Sequence, residues 1–198
     1  MPPNSASTDD VRLTEQAPKS FKPIVIFGGT FDPIHYGHLR AAAEVKSIMG
    51  EVDFRLMPSG TPPHREATAA SAEQRLAMLK IALQSHPDLH IDEREVNRDG
   101  PSYMHDTLLS IRQEDPDRSI VLALGQDAAN HLDRWYRWQE ILDLCHLLIM
   151  TRPESQAEYT PFLHDELSQR EVSHAQELHH EKSGLVFHVP VTQLAISA

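Results

Sequence analysis

Two histidines, His35 and His38, follow a pair of adjacent glycines in the string Gly28-Gly29-Thr30-Phe31-Asp32-Pro33-Ile34-His35-Tyr36-Gly37-His38. Imidazoles at this spacing can donate hydrogen bonds to phosphate oxygens, and when protonated they stabilise charge that develops during phosphoryl or nucleotidyl transfer. Gly28 and Gly29 permit a backbone approach that side chains would block, and a helix opening at the histidines would offer unpaired N–H groups to an anion. The string contains neither G-x-x-x-x-G-K-[ST] nor G-x-G-x-x-G, which disfavours an ordinary P-loop NTPase or dehydrogenase. No H-E-x-x-H motif or Cys/His set accompanies the histidines, so a zinc site ranks below phosphate contact.

The elements that must hold these residues are legible as apolar runs. Ile24 to Phe27 reads as a strand buried on both faces and stopped by Gly28-Gly29, followed by a helix from Gly37 to Met49 and a strand from Val52 to Met57. That sequence is a βαβ unit. A proline-rich loop spans Pro58 to Ala70, and Ser71 with Gln74 predicts a capping-box helix start. Leu89-His90-Ile91 and Arg94 to Val96 read as extended segments, and a turn at Asp99-Gly100-Pro101 leads into a helix from Tyr103 to Gln113. Ser119 to Leu124 and His146 to Met150 are further strands, separated by a helical stretch from Trp135 to Leu144, and Val186 to Val189 is a last candidate strand. His164 to Lys182 is polar and reads as a solvated helix or loop. The alternation predicts an α/β fold: a Rossmann-like, doubly wound, mainly parallel sheet with helices on both faces and ligands beyond the carboxyl ends of the strands.

Residues 1–20 read as a disordered tail and residues 21–198 as a single domain. Eighteen Lys+Arg against 29 Asp+Glu give a net charge of −11, which argues against nucleic acid or an anionic membrane as partner. The single cysteine, Cys145, excludes a disulfide-built scaffold, and with no long apolar run or export signal the cytoplasm is the expected location.

The segment His35-Tyr36-Gly37-His38 resembles the H-x-G-H signature of the nucleotidyltransferase superfamily. More narrowly, the chain resembles the bacterial nicotinate-nucleotide adenylyltransferases. The likeness runs through Pro62-Pro63-His64-Arg65, Asp92-Glu93-Arg94-Glu95, Ser102-Tyr103, Thr107-Leu108, Gly125-Gln126-Asp127, Trp135-Tyr136 and Arg152-Pro153. It implies transfer of AMP from ATP to nicotinate mononucleotide, giving the deamido dinucleotide and pyrophosphate in NAD biosynthesis. Magnesium would accompany the ATP, with no metal ligand from the protein and no bound organic cofactor. By position, His35 and His38 would stabilise the transferring group, with Gly28, Gly29 and Thr30 lining the same pocket. His64 and Arg65 would bring a cation to the phosphates. Arg152 follows a strand and either pairs with phosphate or is solvated; Asp127 either accepts from ribose hydroxyls or caps the next helix.

Trp135 offers a flat surface on which a pyridine ring can stack, and the resemblance assigns amides near Met104 and Tyr136, beside Tyr103, to the nicotinate carboxylate. Such donors favour the acid over the amide, whose NH₂ would face another donor. Trp138 reads as core packing. Family members commonly carry Thr where this chain has Met104. Ile196-Ser197-Ala198 matches the start of a longer family motif, I-S-x-T-x-I-R, so Ser197 is expected at the ATP site and the C-terminal segment is expected to be incomplete. A transferase preferring nicotinamide mononucleotide or another phosphorylated acceptor, a non-catalytic nucleotide-binding module and a homo-oligomer all stay open.

Overall fold

Six parallel strands form one sheet in the order β3-β2-β1-β4-β5-β6 in the computed structural model, which describes residues 21–61 and 68–192. They are β1 (Ile24–Gly29), β2 (Asp53–Pro58), β3 (His90–Ile91), β4 (Ile120–Gly125), β5 (His146–Thr151) and β6 (Val186–Pro190). Between them lie α1 (Tyr36–Met49), α2 (Ala72–Ala82), α3 (Met104–Glu114), the single turn α4 (Gln126–Ala129), α5 (Trp138–Leu144) and α6 (Pro161–Ser168).

Successive side chains of a strand point to opposite faces, so each apolar run serves two cores. Val25, Phe27, Phe54, Leu56, Val121, Ala123 and Leu148 pack with Ala42, Val45 and Met49 of α1, Leu79 of α2 and Leu178. Ile24, Ile26, Ile120, Leu122, Leu147 and Ile149 pack on the other face with Leu108 and Ile111 of α3, Ile141 and Leu142 of α5, and Leu163 and Leu167 of α6. The doubly wound reading therefore holds, and the strand order reverses direction between β1 and β4. Such a switch point opens a crevice at the carboxyl ends of the two strands.

Ser71 caps α2 as the sequence predicts: its Oγ accepts from Gln74 N at 3.3 Å, and Gln74 Oε1 accepts from Ser71 N at 2.9 Å. Four expectations need correction. Gly28-Gly29 does not stop β1 but extends it, paired in register with Met57 and Pro58. Arg94 to Val96 is a turn, because Asp92 Oδ1 accepts from Arg94 N at 3.2 Å and Asn97 N closes onto Glu93 O at 3.0 Å. The helix expected from Trp135 begins only at Trp138, since Trp135 is extended and Arg137 takes a left-handed φ of 51°. The polar stretch 164–182 is anchored by buried Leu167, Ala175 and Leu178 rather than wholly solvated. The expected tail at residues 1–20 lies outside the described residues. No described helix is long and apolar enough to cross a membrane.

Candidate active site

The first half of the site is the loop from β1 into α1. His35 is the N-cap of α1, and its Nδ1 accepts from Gly37 N at 3.1 Å; the Nδ1 of His38 in turn accepts from His35 N at 3.4 Å. Two imidazoles thus perform the reciprocal capping usually done by Ser and Glu. Because each Nδ1 accepts, the hydrogen of each neutral ring sits on Nε2. The rings stack at a centroid distance of 3.8 Å, and His38 is also edge-on to the buried ring of Phe31 at 5.1 Å. Gly37 is required by this arrangement, since a Cβ there would come within 2.9 Å of His35 Cε1. No acidic residue sits in the first turn of α1, which leaves the positive end of the helix to an incoming anion.

Burial lowers the pKa of His38 to about 4, with the charges of His35 and Arg152 acting in the same direction. Burial, then Arg152, also lowers that of His35. Both rings are therefore neutral N–H donors at physiological pH before a substrate arrives. Arg152, exposed just beyond β5, is close enough to act on both histidines and has no carboxylate partner among the described residues.

The second half is a cavity of about 280 Å³ at the carboxyl ends of β1 and β4, whose lining includes Gly28, Gly29, Thr30, Tyr103, Met104, Trp135 and Tyr136. It brings together seven residues singled out from the sequence. Met104 is the first residue of α3, whose N-cap Tyr103 makes no side-chain cap bond, so the opening N–H groups of the helix are unclaimed by a cap. The Met104 side chain leans over Gly28, where a Cβ would meet its Cε at 3.3 Å. Tyr103 and Tyr136 pack at 4.7 Å. Trp138 lies edge-on to Phe162 of α6 at 5.8 Å, in accord with a packing role. Asp127 is exposed between Gly125 and Ala128, which line the cavity, but does not line it itself; it does not cap α4, whose N-cap is Gly125. His64, Arg65 and Ser197 lie outside the described residues.

Three site residues escape sequence reasoning. Arg75 of α2 is 1% exposed and donates to main-chain carbonyls at the exits of β1 and β2. Its signal was its helical spacing with Leu79 and Leu83, which places it on the buried stripe. Glu95 is 3% exposed, lines the cavity and accepts from Thr107 Oγ1 at 2.8 Å; burial raises its pKa. Within the charged run Asp92 to Glu95 nothing local marks it. His105, also in the lining and 1% exposed, lies between Asp106 at 3.0 Å and Glu140 at 3.3 Å. Among the described residues no group of three His, Cys, Asp or Glu could hold a metal ion.

A model of the cytidylyltransferase-like family matches residues 26–191. A protein of Acidithiobacillus ferrooxidans named "Probable nicotinate-nucleotide adenylyltransferase" is 44% identical over 176 residues, covering 88% of this chain and 81% of its own. A protein of the same name from Hahella chejuensis is 45% identical over 178 residues, covering 89% and 81%. Among solved structures, Plasmodium falciparum nicotinic acid mononucleotide adenylyltransferase complexed with NaAD shares the fold, with a TM-score of 0.65, 15% identity and coverage of 88% of this chain and 78% of that one.

Proposed function

Since this chain belongs to the cytidylyltransferase-like family, among relatives named nicotinate-nucleotide adenylyltransferases, we propose that it is a nucleotidyltransferase that moves AMP from ATP to nicotinate mononucleotide in NAD biosynthesis. The observation that carries the reading is the division of labour across the β1–β4 switch point. Imidazole N–H donors stand at the head of α1, and a cavity with Trp135 and an uncapped α3 opens beside them. An oxygen of the acceptor's 5′-phosphate attacks the α-phosphorus of ATP, the bond to the bridging oxygen breaks, and pyrophosphate leaves. The acceptor phosphate is already an anion, so no protein base is needed.

What the protein supplies is position and charge stabilisation, which dominate phosphoryl-type transfers. The Nε2–H groups of His35 and His38 donate to phosphate oxygens on which charge grows, the Gly28-Gly29-Thr30 backbone lies against the nucleotide, and Arg152 adds a cation. Magnesium belongs with the triphosphate, whose hard oxygens suit it, and supplies further charge neutralisation there. Trp135 stacks on the pyridine ring, amides of Met104 and Tyr136 bond its carboxylate, and Asp127 accepts from ribose hydroxyls at the rim. With the contact at position 104 assigned to the backbone amide, Met104 in place of the family's common Thr leaves that donor unchanged.

The test is magnesium-dependent pyrophosphate release from ATP with nicotinate mononucleotide, nicotinamide mononucleotide and phosphopantetheine side by side. Selective turnover of the first is expected. Preference for either of the others overturns the acceptor assignment, and silence with all three favours a nucleotide-binding module without chemistry.

A further inference from the structure

Arg75 carries a charge into the interior and bonds it to no carboxylate among the described residues. Nη1 donates to Thr30 O at 2.6 Å, and Nη2 donates to Ser59 O at 2.7 Å and Gly60 O at 2.9 Å. Thr30 directly follows β1, and Ser59 and Gly60 directly follow β2, so a single guanidinium ties together the exits of two neighbouring strands. The planar fork of arginine suits this task, whereas an ammonium could satisfy only part of it. Asp32 and Glu73 act on the guanidinium through space alone, and its Nε has no partner among the described residues. A guanidinium stays protonated even when buried, so positive potential persists beneath the loop.

Two consequences follow for the loop. A trans peptide is planar, with C=O and N–H pointing in opposite directions. Holding the carbonyls of Thr30 and Ser59 toward Arg75 therefore turns the N–H groups of Phe31 and Gly60 away from it. Phe31, moreover, holds a left-handed φ of 49°, an unfavourable conformation for a bulky residue that persists only where its surroundings enforce it. Arg75 fixes the residue before it, and Asp32, the residue after it, accepts from Ala69 N at 2.6 Å and Ala70 N at 3.1 Å. The ring so placed is the one against which His38 stands edge-on.

We propose that Arg75 is a positioning residue for the triphosphate end of the site: it holds the Thr30–Phe31 turn so that the loop amides and, through the Phe31 ring, His38 face the donor nucleotide. The proposal rests on the transferase reading above and extends it to a residue remote from both substrates. The wall built by α3 and Trp135 shares the cavity with Thr30 and Ser59 but receives none of the three Arg75 bonds, so constants measured for the two substrates separately read the clamp's effect on each.

The experiment is steady-state kinetics of Arg75→Met and Arg75→Lys with MgATP and nicotinate mononucleotide varied separately, each variant also being followed by thermal melting. In Arg75→Met, kcat/KM for MgATP is expected to fall about 10²-fold, the scale of a misplaced reacting group. KM for nicotinate mononucleotide should stay within about twofold, as uniform loss of structure would not allow. Arg75→Lys, which retains the charge and part of the bonding, should recover about tenfold of that loss. Unchanged MgATP constants, or equal losses for both substrates, overturn the proposal. Should Arg75→Met give no cooperative melt, the same two criteria are applied to Arg75→Lys. If the parent protein turns over no acceptor, the transferase reading fails on its own. Calorimetric MgATP affinity then decides: weaker binding by Arg75→Lys supports the clamp, and equal binding overturns it.

Discussion

The paired histidines were legible from residue type and spacing, but their electrical state was not. Nothing in the string reveals that both Nδ1 atoms accept main-chain N–H groups or that the Phe31 ring packs against His38. These contacts make neutral donors of groups that the sequence leaves free to be either neutral or charged. Proton NMR of the free protein should find the His38 ring titrating near pH 4 rather than 6.5. A midpoint at or above 6.5 would show that the ring enters the reaction already charged. His38→Ala should lower turnover by about 10²-fold, the usual effect of removing one transition-state donor. The buried charges were hidden for a related reason. Arg75 and Glu95 are ordinary helix and charged-run residues until the carbonyls or the hydroxyl that satisfy them are known.

Elements with strong local signals, such as the capped start of α2 and the apolar runs of β1, β4 and β5, were readable because one physical cause dominates each. The failures occurred where a tertiary or side-chain contact decides. Asp92 turns the chain at Arg94, and the left-handed Arg137 delays α5 although Trp135, Trp138 and Ile141 are spaced as a helix face. Long-range contacts of this kind also join elements at the opposite, amino-terminal ends of the strands. Arg112 of α3 donates to Arg118 O at 2.6 Å and to Leu144 O and Lys182 O at 2.8 Å, which binds together the entries to β4, β5 and β6. Arg112→Ala removes these three bonds and two longer ones, to Asp115 O and Pro116 O at 3.4 Å, and should lower stability by roughly 3 kcal/mol in urea titrations, with the substrate constants of the folded fraction unchanged. A loss of under about 0.5 kcal/mol would mean that water replaces the guanidinium freely. The two arginines thus divide their effects, one acting on stability and the other on the donor nucleotide.

For the molecule as a whole, the sequence yields the α/β class and the segments of all six strands, but it adds Arg94 to Val96 as a further extended segment and does not give the order β3-β2-β1-β4-β5-β6, which depends on which neighbours bury which edges. The assembled fold also imposes a pH dependence that composition does not. His146 is fully buried at the start of β5; its Nε2–H donates to Glu181 O at 2.9 Å, and its Nδ1 accepts from Leu185 N at 3.0 Å. Burial lowers its pKa, as it does for His35, His38 and His188. In each case the unfolded chain binds the proton more readily, so these rings cost nothing above pH 6.5 and remove stability as pH falls below it toward the lowered native values. The urea midpoint should therefore drop between pH 7 and pH 5. His146→Gln keeps a donor and an acceptor without a titrating ring, and in that variant the drop should be smaller. An equal drop in both proteins would remove His146 from the account.

The reciprocal capping at the head of α1 has one more consequence. A ring can pass a proton onward only by taking it at one nitrogen and releasing it at the other, and here the inner nitrogen of each ring is occupied by the main chain. The pair is consequently a proton insulator. It has oriented dipoles but no through-path to solvent, which suits a displacement between two phosphates in which only electron pairs move and the rings need not reset between turnovers.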